Sequence, residues 1–103
     1  MIHMQIQYQA TNFKADQKLL DFIEKKLAKL KTFHEGISEA QVYLKVNKAE
    51  DKENKVVEIK LHVSSSFLFA EARSGTFEAA ADEAVEALRS QIARWRTRQG
   101  ISG

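Results

Sequence analysis

With 103 residues, 44% of them hydrophobic, the chain reads as one domain with a modest two-layer core that needs no metal or disulfide support. It has no cysteine, which excludes disulfide scaffolds, thiol catalysis and thiolate metal sites. The formal net charge of +2 is small, so where the bases fall says more than their excess over the acids. Met1-Ile2-His3-Met4-Gln5 has no basic segment leading into an apolar run, and no apolar stretch nears the ~20 residues of a membrane helix. The expectation is a soluble, cytoplasmic protein with no membrane partner.

Met4, Ile6 and Tyr8 alternate with Gln5, Gln7 and Gln9, the period-two pattern of a half-buried strand, which Thr11 and Asn12 are expected to break. From Ala15 to Lys31 the period becomes helical. Leu19, Leu20, Ile23, Leu27 and Leu30 share one face, with Lys18, Lys25, Lys26 and Lys29 on or beside the opposite one. Asp16 suits the N-cap or first turn, and Gly36 suits a stop after an end that frays at Phe33 and His34. A second strand follows, with Ala40, Val42, Leu44 and Val46 facing one way and Gln41, Tyr43, Lys45 and Asn47 the other.

The mixed-charge run Lys48 to Lys55 reads as a solvated hairpin loop. Val57, Ile59, Leu61 and Val63 predict a third strand with Glu58, Lys60 and His62 outward, and Ser64-Ser65-Ser66 a turn. In a fourth strand, Phe67 to Arg73, Leu68, Ala70 and Ala72 suit a closely packed helix, which sends Phe67 and Phe69 to the other face beside Tyr43. Thr76 is a good N-cap for a closing helix through Arg98, with the apolar stripe Phe77, Ala81, Ala84, Val85, Leu88, Ile92 and Trp95. The reading is an α+β chain of order β-α-β-β-β-α, a four-stranded sheet with both helices on one face. Residues 1–98 form the domain and 99–103 a short flexible tail.

His3, His34 and His62 sit in three elements without ligand spacing, the serines have no G-x-S-x-G context, and no phosphate-cradling glycine loop occurs. No catalytic constellation, metal site, cofactor or small-molecule substrate is therefore expected. The bases are what remains. In the closing helix the acids Glu78, Asp82, Glu83 and Glu86 precede the bases Arg89, Arg94, Arg96 and Arg98. That order suits the helix dipole, but the basic half also suits an anionic polymer. Lys26 and Lys29 share a face of the first helix, so two helices side by side would form one basic surface matched to phosphates. Trp95 continues the apolar stripe, yet between Arg94 and Arg96 it could instead stack on a base. Tyr43, Phe67 and Phe69 could be stacking platforms, a self-association patch or cross-strand aromatic pairs.

Met4-Gln5-Ile6-Gln7, Lys25-Lys26-Leu27-Ala28-Lys29-Leu30, Val42-Tyr43-Leu44-Lys45-Val46, Ala70-Glu71-Ala72 and Asp82 through Leu88-Arg89-Ser90-Gln91-Ile92-Ala93-Arg94-Trp95-Arg96 together resemble the ribosome hibernation promoting factor family. The same family is also known as ribosome-associated inhibitors or sigma-54 modulation proteins. The resemblance runs from Met4 to about Arg98 and implies a fold similar to double-stranded-RNA-binding domains. It further implies binding to the small ribosomal subunit between head and body, over the sites of mRNA and of the A- and P-site tRNAs, silencing idle ribosomes in stress or stationary phase.

The family's rRNA-contacting bases match Lys26, Lys29, Arg94 and Arg96; Lys25, Arg89 and Arg98 join them on charge alone. Ser90 and Ala87 depart from basic residues common in the family, and Thr76 and Glu78 from the usual Asp and Tyr. The chain looks like a short form, without an added dimerisation domain or acidic tail, which implies a second factor where ribosomes are paired. The alternative is a protein-interaction regulator of the sigma-54 modulation kind, working through Tyr43, Phe67 and Phe69.

Overall fold

Alternating and helical periods become six elements in the computed structural model, which describes residues 4–11, 13–34, 36–48 and 52–98, Arg98 by its backbone alone. In chain order they are β1 (Gln5–Thr11), α1 (Gln17–Phe33), β2 (Ile37–Val46), β3 (Lys55–Val63), β4 (Ser66–Ser74) and α2 (Phe77–Arg98). Class and element order are those read from the sequence. The tail at 99–103 lies outside the described residues.

The sheet runs β1-β2-β3-β4. β1 is parallel to β2, a pairing that needs a crossover, and α1 supplies it. The β2–β3 and β3–β4 pairs are antiparallel hairpins. Thr11 does not break the strand but is the last residue of β1, still paired with Lys45. At the start of β2, Ile37 pairs with Val63 and Glu39 with His62, which leaves Ser38 as an extra residue. This bulge resets the alternation, so Ile37 and Ala40 are both fully buried although three positions apart.

Ile37, Ala40, Val42 and Leu44 of β2, Val57, Ile59, Leu61 and Val63 of β3, and Ala70 of β4 form the inner face. Leu19, Ile23, Leu27 and Leu30 of α1 and Ala80, Ala81, Ala84, Val85, Leu88 and Ile92 of α2 close over it as one cluster. The alanines of α2 and Ala70 let that helix approach the sheet closely. Tyr8 joins α1 to β1, its hydroxyl donating to the Leu20 carbonyl at 3.2 Å. Burial, with Glu24 and Asp21 nearby, pushes its pKa up to about 12. Trp95 is buried at 8% exposure, which places it in the core and not on a stacking surface.

The helix starts follow their caps. Asp16 Oδ1 accepts from the Leu19 N–H at 2.9 Å, and Thr76 Oγ1 from the Ala79 N–H at 3.1 Å. The Phe13 and Phe77 rings, just ahead of α1 and at the start of α2, stack with centroids 4.5 Å apart.

The end of α1 differs from expectation. Phe33 remains helical, and His34 is an extended C-cap whose N–H donates to the Leu30 carbonyl at 3.1 Å. Gly36 is not in the left-handed region that a glycine stop uses. Its role is close approach, since a Cβ there would lie 2.8 Å from His34 Nε2 and 3.1 Å from Ser64 Oγ. Ser64 takes the left-handed backbone of the β3–β4 turn at φ 56°, and its N–H donates to the Gly36 carbonyl at 3.0 Å.

Candidate nucleic-acid interface

α1 and α2 lie side by side, and the flank each turns to the other follows from the helical period. On α1 that flank carries Phe22, Lys26, Lys29 and Phe33, which repeat every three or four residues. On α2 it carries Asp82, Val85, Glu86, Arg89 and Arg96. Lys26 Nζ bonds Asp82 Oδ1 at 2.8 Å, an exposed ion pair between the helices, and also lies 5.4 Å from the Phe22 ring centroid. The Phe33 ring reaches across to α2, with the Arg89 and Arg96 guanidinium carbons 5.3 and 5.7 Å from its centroid. An open groove of about 440 Å³ runs between the helices.

Four of the seven cations singled out from the sequence are thus brought together. Lys26, Lys29 and Arg89 line the groove, and Arg96 joins them through Phe33. Lys25 is exposed outside it. Arg94 is exposed too, but two positions from Arg96 means about 200° around the helix. It stands on the side of Gln91, whose Nε2 donates to the Phe69 carbonyl of edge strand β4 at 2.8 Å. Arg94 and Arg96 therefore face different ways. The Arg98 side chain lies outside the described residues.

Lys31, another base of α1, is half-buried and donates to the Ile37 carbonyl at the start of β2. Sequence reasoning missed Phe33, treated as a frayed end. Continuing the α1 projection one turn would have found it, four residues from Lys29 and seven from Lys26.

His34 sits behind this surface, its ring edge-on to Trp95 with centroids 5.4 Å apart. Its Nε2 is buried with no hydrogen-bond partner among the described residues. Burial, then the charges of Arg96 and Lys31, hold its pKa below the ordinary 6.5.

The outer sheet face is different. Phe67 and Phe69 are 59% and 51% exposed. The Phe67 ring stacks on His62 at 4.6 Å, with Lys60 Nζ 4.5 Å from its centroid. Tyr43 is not beside them. Its cross-strand partner is Glu58, and β3 stands between β2 and β4. Tyr43 is half-buried and its hydroxyl donates to Gln41 Oε1 at 3.3 Å. Among the described residues, no three His, Asp or Glu side chains group as a metal site. No helix among them is long and apolar enough to cross a membrane.

A model of the sigma 54 modulation protein / S30EA ribosomal protein family matches residues 6–100. The chain belongs to this family. A ribosome hibernation promotion factor of Deinococcus radiodurans is 30% identical over 97 residues, which cover 92% of this chain and 51% of that protein. The chain thus spans about half the length of the curated relative it matches.

Among solved structures, the N-terminal domain of Thermus thermophilus Protein Y superposes with a TM-score of 0.76 at 27% identity, over 90% of this chain and 98% of that one. A ribosomal subunit interface protein from Coxiella burnetii gives a TM-score of 0.81 at 22% identity, over 91% and 99%, a likeness of fold. The family match bears out the resemblance read from the sequence.

Proposed function

We propose that this chain is a ribosome-associated hibernation factor that binds the small subunit through its rRNA and silences translation by occupying the mRNA channel and the A and P tRNA sites. Membership of the family, over nearly the whole described domain, is the observation that carries the reading. The basic flank between α1 and α2 gives it a surface, since each Lys or Arg set against a phosphate releases counterions and makes binding salt-dependent. Lys26, Lys29, Arg89 and Arg96 are its centre, with Lys25, Arg94 and Arg98 as outlying bases. The role is binding and not catalysis, and it is exercised in the cytoplasm.

The test is co-sedimentation with small subunits at low and raised salt, for the wild type and for Lys26→Glu/Arg94→Glu/Arg96→Glu. Wild-type binding that weakens with salt, and its loss in the triple variant, are the expected results. Equal binding by the variant would refute the surface, and absence of wild-type binding would refute the function.

A second reading draws on the exposure of Phe67 and Phe69: a protein-interaction regulator working through the outer sheet, a role of the kind that the words sigma 54 modulation in the family's description suggest. A pull-down that recovers a transcription factor, and loses it with Phe67→Ser/Phe69→Ser, would favour it.

A further inference from the structure

A surface built only to meet phosphates would have no use for acids among its bases, yet Asp82 and Glu86 line the groove between α1 and α2. Asp82 is taken up by Lys26 at 2.8 Å. Glu86 has a 3.9 Å contact with Arg89, a long and exposed pair of little strength. Leu30 and Val85, both almost wholly buried, form an apolar floor. Phe33, 38% exposed, forms a wall with the Arg89 guanidinium against its ring. Lys29 stands exposed on the rim.

Each feature suits a different part of one ligand. Unstacked bases lie on aromatic rings and guanidinium planes. A carboxylate accepts from an exocyclic base amine, as Asp and Glu do from cytosine N4. Lysine and arginine meet the flanking phosphates. At about 440 Å³ the groove falls within the size range of small-ligand clefts.

We propose that the groove between α1 and α2 receives one unpaired nucleotide of an RNA strand. The base lies over Leu30 and Val85 against the Phe33 and Arg89 planes, with its amine-bearing edge toward Glu86 and its flanking phosphates on Lys29 and Arg96. This rests on the rRNA-binding reading and adds two preferences to it: single-stranded over duplex RNA, and a base with an exocyclic amine over uracil.

Fluorescence anisotropy with labelled oligo-C, oligo-U and a duplex RNA of matched length, across a salt series, tests the proposal. The wild type should bind oligo-C more tightly than oligo-U or the duplex. Phe33→Ala should weaken oligo-C binding about tenfold, the effect of losing one stacked base, and leave the slope of log affinity against log salt unchanged. Phe33→Tyr, which keeps the ring, should bind as the wild type does, and this separates stacking from any unwinding of the α1 end. Glu86→Gln should reduce the preference for C over U, whatever it does to overall affinity.

Equal wild-type affinity for oligo-C and duplex, no measurable binding of oligo-C, or a Phe33→Ala variant that binds oligo-C like the wild type would overturn the groove. Small-subunit sedimentation of the same wild-type protein keeps the two ideas apart. Salt-dependent binding there with no Phe33 effect leaves the function standing and the groove wrong.

Discussion

On the helix side of the protein, aromatic rings have cations set against them: Lys26 at the half-buried Phe22, and Arg89 and Arg96 at the exposed Phe33. On the outer sheet face Phe67 has Lys60 and His62 against it, and Phe67 and Phe69 remain more than half exposed. The two faces share one core and differ in what drives a partner onto them. Counterion release falls steeply with salt, whereas removal of apolar surface from water does not. Salt dependence is thus a property that can assign a partner to one face or the other.

The comparison can be broken most severely from below. Leu88 is fully buried beneath α2, and Leu88→Ala should cost about 2–5 kcal/mol, read as a lower urea midpoint, so that both faces weaken together through loss of folded protein. A local change on the helix side should act in the opposite direction on binding. Asp82→Asn removes the carboxylate that holds Lys26 and frees that cation for a phosphate. Small-subunit affinity should rise about two- to fivefold with a steeper salt slope, while stability changes by no more than the ~0–1 kcal/mol of an exposed pair.

On the sheet side, Phe67→Ser/Phe69→Ser removes exposed rings and one cross-strand stack. Unfolding free energy should fall by about 1 kcal/mol or less, with small-subunit binding unchanged. The smallest effect concerns pH. The folded-state pKa of His34 is depressed, so its contribution to stability is present above about pH 6.5 and is lost as pH falls from there toward the lower folded value. Urea midpoints should therefore drop on acidification in the wild type, and less in His34→Gln. Arg96→Gln removes one cause of the depression and should move the His34 titration, followed by NMR, back toward 6.5.

Most of the fold was legible because its cues are local. Period-two runs mark the strands, the stripes from Leu19 to Leu30 and from Phe77 to Trp95 mark the helices, and Asp16 and Thr76 cap them. The Ser38 bulge was not, since nothing local says that Ile37 and Ala40 will share a face; pairing with β3 decides it. Gly36 was misread because close approach to His34 and Ser64 is a tertiary fact.

The candidate site was legible as a set of bases on two helices, and less so as a surface. Arg94 and Arg96 look paired in sequence, but the helical period alone separates them by about 200°. Tyr43 could be kept apart from Phe67 and Phe69 only once β3 was placed between their strands. Phe33 was within reach of the α1 projection carried one turn further, whereas Asp82 enters the site through its contact with Lys26 on the other helix, which no single-helix projection contains.

The most direct test is small-subunit sedimentation across a salt series for two contrasts in one experiment: the charge-removing Arg89→Gln/Arg96→Gln on the helix flank and the charge-neutral Phe67→Ser/Phe69→Ser on the sheet. The account predicts that the first weakens binding by on the order of 10-fold at low salt and flattens the salt slope by about 1–2, while the second matches the wild type. A sheet variant that loses binding, with the arginine variant unaffected, would contradict it.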